Sequence, residues 1–214
     1  MVRTMRNYCV QLAMISSIVM APVFAATVAG ATAPSPAPVM SQGVVVKDPE
    51  NRFTIMVPAS WAVQTSTSAR AAAVSAKSLA PNGHLPTTVD VITHDLPTPL
   101  DAQQCADKVA QIMRFTIHNW TTLHEGVTTL AGLPGYSRAY TWHTSTGQER
   151  RSDQTCVTMG RRAFVVIGTT ANDPRSVQQA LSQLQRIIAT FHPNATNLPP
   201  IDHPASRTTR AGDH

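Results

Sequence analysis

Near the C-terminal end, Ala163-Phe164-Val165-Val166-Ile167-Gly168-Thr169 runs without a charge or an interruption. Seven such residues in a row, rich in β-branched side chains, read as a strand apolar on both faces. A strand of that kind must be central in its sheet and covered on each side, so the chain cannot be a bundle or a one-sided hairpin. The next segment supplies one cover. Asp173 is read as an N-cap and Pro174 as the first helical residue. Val177, Ala180, Leu181, Leu184, Ile187, Ile188 and Phe191 then recur at helical spacing on one face. Pro193 ends the element.

A second cover lies upstream. Thr98 as N-cap, Pro99 at the first helical position and Asp101 in the first turn open a helix. Its apolar stripe is Ala102, Cys105, Ala106, Val109, Ile112, Met113 and Ile117. Strands occupy the rest. Val44–Val46 is a short candidate, and Phe53, Ile55 and Val57 alternate with Thr54 and Met56 up to Pro58. Trp61–Val63 is extended, and 71–79 is a weaker, alanine-rich strand. Pro81-Asn82-Gly83 is a turn, and 87–93 a β-branched strand. Beyond the first helix come strand candidates at 120–125 and 127–130, a Gly132–Gly135 turn, and a strand at 136–144. A Ser145-Thr146-Gly147 hairpin and a return strand at 149–159 complete the stretch. The order of strands, helix, antiparallel strands and helix defines an α+β protein with a mostly antiparallel sheet covered by helices.

The N-terminus reads as an address. Arg3 and Arg6 precede an apolar run from Leu12 to Phe24, and Val23-Phe24-Ala25 offers a cleavage site after Ala25. The run is short for a membrane span, and Cys9 lies before it rather than at a lipoprotein position. We therefore expect a signal peptide at 1–25, an Ala/Pro-rich leader at 26–43, one domain at 44–192 and a polar, Pro-rich, disordered tail at 193–214. The expected location is periplasmic or secreted, with no permanent membrane anchor after cleavage. Two cysteines, Cys105 and Cys156, remain in the domain; an oxidising compartment favours a disulfide between them, and the alternative is two buried thiols.

Composition narrows the function classes. The formal charge is +5 on 214 residues, charged residues are 14% and aromatic residues 5%, with basic side chains scattered, so nucleic acid is not an expected partner. His84, His94, His118, His124 and His143 have no spacing that places two on one metal-binding face. The chain has no G-x-S-x-G elbow, no phosphate loop and no C-x-x-C pair. No catalytic, cofactor-binding or metal residues are assigned. Tyr136, Arg138, Tyr140 and Trp142 share one strand face. If that face is open, they form a binding surface of the kind that dominates interfaces; if it is covered, they pack beneath a helix.

Three segments carry a resemblance. Arg52-Phe53-Thr54-Ile55-Met56-Val57-Pro58-Ala59-Ser60-Trp61 resembles the opening strand, F-x-φ-x-φ-P-x-x-W with φ apolar, of PsbP-like and DcrB-like proteins. Ala131-Gly132-Leu133-Pro134-Gly135-Tyr136 resembles the turn into their central meander, and Ile187-Ile188-Ala189-Thr190-Phe191 the end of their closing helix, with Thr190 where serine is commoner. The resemblance covers about residues 44–192 and extends to mycobacterial LpqN-type lipoproteins. It implies an α-β-α sandwich and an exported accessory role, with no catalytic residue to carry over. The expected function is a non-enzymatic accessory protein of the bacterial envelope that binds a partner protein or envelope component. A small-ligand or lipid carrier with an apolar pocket between helix and sheet is the alternative, and an enzyme with a dispersed site comes third.

Overall fold

The computed structural model describes residues 43–68, 71–79, 85–196 and 198–199. The signal peptide, nearly all of the leader, the Pro81-Asn82-Gly83 turn and most of the tail lie outside the described residues. Among the described residues, ten strands and two helices run in the order β1 (Gly43–Lys47), β2 (Phe53–Pro58), β3 (Ala62–Ser68), β4 (Ala71–Lys77), β5 (Thr88–Asp95), α1 (Ala102–Thr116), β6 (His118–Leu130), β7 (Leu133–His143), β8 (Glu149–Met159), β9 (Arg162–Ala171), α2 (Val177–Ile188) and β10 (His192–Pro193). Seven strands form one antiparallel sheet in the order β3-β4-β5-β9-β8-β7-β6, and β1-β2-β10 form a small second sheet. The apolar strand β9 sits fourth of seven, with Arg162 to Thr170 all buried.

Alternate residues of β9 enter different cores. Phe164 and Val166 join Phe53, Ile55, Val57, Val89, Val91, Val157 and the α2 residues Val177, Leu181, Leu184 and Ile187. Val165 and Ile167 join Ile92, Cys156, Ala163 and the α1 residues Cys105 and Ala106. Gly168 belongs to the first set: a Cβ there would stand 3.2 Å from both methyl carbons of Leu184, so the missing side chain lets α2 lie close to the strand.

Several boundaries differ from the sequence reading. The N-cap of α1 is Asp101, not Thr98. Its side chain accepts from Gln104 N at 2.7 Å, while Gln104 Oε1 accepts from Asp101 N, which completes a capping box. On α1 the buried residues are Cys105, Ala106 and Ala110; Ile112, Met113 and Ile117 are only partly covered. Helix α2 is capped by Ser176 rather than Asp173, whose carboxylate instead accepts from Arg175 N and Ser176 Oγ in the preceding turn. The two strand candidates at 120–130 are one continuous strand, and the four-residue turn contracts to Ala131-Gly132, with φ of +52° and +77°. Both residues in the left-handed region is the geometry of a two-residue hairpin, so Leu133, Pro134 and Gly135 are already in β7.

The small sheet closes the body. β2 pairs with β1 along Pro58 to Thr54 and with β10 through Thr54 and Phe53. Just before β10, the Thr190 hydroxyl accepts from Met56 N at 2.9 Å and lies 2.6 Å from Ile187 O, tying the end of α2 to β2. Beside it, Arg52 and Asp48 form a fully buried ion pair at 3.2 Å.

Candidate functional site

Tyr136, Arg138, Tyr140 and Trp142 of β7 stand opposite Cys156, Gln154, Ser152 and Arg150 of β8. The same row continues through Val165, Ile167 and Thr169 of β9 to Ile92, Asp90 and Thr88 of β5. Period two puts all of these on the face that α1 meets. One half of the face is apolar and lies beneath α1. The other half is polar, built from Asp90, Arg150, Ser152, Thr169 and Tyr140, with Gln154 at the boundary.

The β7 residues are brought together as expected, but the face is not open at its centre. Tyr140 is fully buried, with Trp120 stacked on it at 3.7 Å between ring centroids. Arg138 is 5% exposed. Its guanidinium donates to Ala106 O at 3.0 Å and to Asp107 Oδ1 at 2.8 Å on α1, and its Nε to Glu125 of β6. Tyr136 and Trp142 are half-buried, the first against the Arg138 guanidinium, the second donating from Nε1 to Ser152 Oγ at 3.0 Å. A β-strand with four long side chains on one face needs a roof, and α1 with Trp120 provides it.

The polar half escapes the sequence reading, although its signal is present. Asp90 interrupts a β-branched strand, and Arg150, Ser152 and Gln154 alternate along β8. Burial pushes the Asp90 carboxyl up to about 6, against hydrogen bonds from Ser75 and Thr88 and the charge of Arg150, all of which favour ionisation. Burial likewise lowers Arg150 to about 10, and its Nη2 donates to Pro86 O at 2.7 Å. Burial raises the Tyr140 phenol, which therefore stays protonated at neutral pH. Asp90 Oδ1, Gln154 Oε1 and Arg150 Nε are buried without a hydrogen-bond partner among the described residues. Ser152 Oγ accepts from Trp142 Nε1 and shares a hydrogen bond with Thr169 Oγ1 at 2.9 Å.

The two cysteines meet on the apolar half. Both are free thiols, Cys105 4% and Cys156 0% exposed, and they share one buried cluster. Of the histidines, His94 is drawn below its ordinary range by burial. No three His, Cys, Asp or Glu side chains among the described residues are grouped as metal ligands, and no described helix is long and apolar enough to cross a membrane.

The edges of the large sheet differ from its faces. β6 carries two register irregularities, between His118 and Thr121 and between Thr122 and His124, and bears Glu125. β3, Ala-Val-Gln-Thr-Ser-Thr-Ser, pairs with β4 in unbroken register over seven residues. It has no charge, proline or bulge, and Ala62 to Thr67 are exposed. Natural edge strands are usually blunted by one of those devices.

No family model matches the chain, and no curated protein matches it. Solved structures do. The chain is similar to the cyanobacterial PsbP protein of Synechocystis, with 14% identity, a TM-score of 0.54, and coverage of 78% of this chain and 98% of that one. It is also similar to the Saccharomyces cerevisiae Ran-binding protein Mog1p, with 12% identity, a TM-score of 0.50, and coverage of 71% and 95%. LpqN of Mycobacterium tuberculosis, described as involved in cell envelope biogenesis, matches at 15% identity and a TM-score of 0.44 over 71% and 91%. The fold is α+β of the PsbP-like kind, a mostly antiparallel sheet with two helices.

Proposed function

We propose that this chain is an exported, non-enzymatic accessory protein of the bacterial envelope that binds an extended segment of a partner protein along strand β3. On this reading residues 1–25 are the cleaved signal, 26–43 the leader, 44–192 one domain in which α1 and α2 enclose the sheet as an α-β-α sandwich, and 193–214 the tail. The DcrB-like assignment of the opening strand belongs to the same reading. The observation that carries it is the open, uncharged, regular edge of β3: a row of backbone donors and acceptors is what a partner strand pairs with. On this reading the β7 residues are not the docking surface, since α1 holds Arg138 and Trp120 covers Tyr140. The Ran-binding description of one structure of this fold agrees with a binding function.

The carrier alternative needs apolar space between helix and sheet. There α1 meets Cys156, Val165 and Ile167 through Cys105 and Ala106, small side chains that bring the helix backbone down onto the strands.

The test is photo-crosslinking from Thr65 in the full processed chain mixed with envelope extract, with Thr122 on β6 as comparison. Adducts are expected from Thr65, and Thr67→Lys should remove them without altering the circular dichroism spectrum. Adducts from Thr122 alone, or turnover of a substrate by the purified chain, would replace this proposal.

A further inference from the structure

Helix α1 holds the sheet through little apolar surface: its buried side chains are Cys105, Ala106 and Ala110. The larger apolar residues of its stripe, Val109, Ile112 and Met113, are only partly covered. What anchors it instead is polar, the Arg138 guanidinium on Ala106 O and Asp107, and where α1 packs on the sheet it and β8 each bury a cysteine in one cluster. Cys105 and Cys156 lie in the same core cluster with Ile92, Val165 and Ile167 around them, and Gln154 Nε2 is 3.4 Å from Cys156 Sγ. Their separation in sequence means that a bond between them closes a long loop.

We infer that Cys105 and Cys156 form a redox-sensitive clasp, a disulfide that fixes α1 to β8 and whose reduction frees α1 from the sheet while α2 stays in place. The oxidant is a disulfide of the thiol-oxidase or glutathione class. The Cys105 thiolate attacks one of its sulfurs, forming a mixed disulfide and expelling the other sulfur as a thiolate. Cys156 then loses its proton and displaces the mixed disulfide. One sulfur–sulfur bond forms in the protein and one breaks in the oxidant, which leaves as two thiols carrying both electrons and both protons. Cys105 is the attacking group because it rides on α1, the element that leaves the sheet, whereas Cys156 stays within β8. Both sulfurs are enclosed in the folded chain, so the exchange takes place before α1 settles or while it is lifted.

The experiment uses the full chain, oxidised with glutathione disulfide or reduced with dithiothreitol. Peptide mapping after alkylation in denaturant reads the bond, and hydrogen exchange reads the helices. The oxidised chain should yield a linked 105–156 peptide. Reduction should speed amide exchange over Ala102–Thr116 tenfold or more and leave Val177–Ile188 within twofold. Cys105→Ala, which the helix accommodates, should show the fast α1 exchange under both conditions. Alkylation of both cysteines in the oxidised chain would overturn the bond. Equal exchange of α1 in the two redox states, or equal acceleration in both helices, would overturn the clasp.

Discussion

The two helices grip the same sheet by opposite means. Helix α2 is poorly capped, with no side-chain hydrogen bond from Ser176 to the helix backbone, yet it buries Val177, Leu181, Leu184 and Ile187 against Phe53, Phe164 and Phe191. Helix α1 has a complete capping box but buries two alanines and a cysteine, and leans on the Arg138 guanidinium. Apolar area holds one helix and local chemistry holds the other. The half of the sheet with a large dry core can tolerate loss of a polar contact; the half roofed by α1 cannot.

The largest test of that contrast is Leu184→Ala. The leucine is 1% exposed and rests on Gly168, so its truncation leaves a cavity and should cost about 3–5 kcal/mol in urea unfolding. A loss under about 1 kcal/mol, well below the usual range for such a truncation, would mean that α2 does not depend on apolar packing. The second test is pH, and it should act on the α1 face only. Asp90 binds its proton more tightly folded, at about 6, than unfolded, at 3.8. Both forms are protonated well below 3.8. As pH rises from there to 6 the unfolded chain ionises first, so stability falls by roughly 3 kcal/mol and stays lower above 6. Asp90→Asn should flatten this stretch of the stability–pH curve; parallel curves for variant and parent would remove Asp90 as the cause. Next, Arg138→Met should cost about 2 kcal/mol, since it deletes a nearly buried cation with three hydrogen-bonded partners. The partner carboxylates are partly in water, which limits the loss. Hydrogen exchange in that variant should rise over α1 and not over α2. The smallest effect expected is Asp101→Ala, about 1 kcal/mol from the lost cap, read in the same experiment as fraying at Ala102 to Cys105.

The same contrast explains what is legible in the sequence. The buried face of α2 can be read from the sequence, because Leu181, Leu184 and Ile187 broadcast their period and β9 announces its own burial, whereas the Asp173-Pro174 signal sets the start too early. At α1 the apolar period extends too far: Ile112 and Met113 match the stripe, yet they are only partly covered and Ala110 takes the buried place. Thr98-Pro99 and Asp101-x-x-Gln104 are both sound start signals, and only the capping geometry separates them. The two-residue hairpin is hidden because Ala131 has no side-chain preference for positive φ; the register of Leu130 opposite Leu133 imposes it. The polar row of Asp90, Arg150 and Ser152 is assembled from separate strands, so no single segment displays it. Alternation alone places Tyr136, Arg138, Tyr140 and Trp142 on one face, but alternation says nothing about the roof.

The position of β2 between β1 and β10 sets a schedule for the chain. Its Thr54 and Phe53 are paired by His192 and Pro193, from the far end of the described residues. A chain emerging from a ribosome or threading a pore in order makes that contact last, and contacts so distant in sequence form slowly. The body can therefore be fastened shut only when its final strand has arrived. A nascent or translocating chain stopped at Ile188 would display an unfinished three-strand patch, with the backbone of Arg52 still waiting for Asn194.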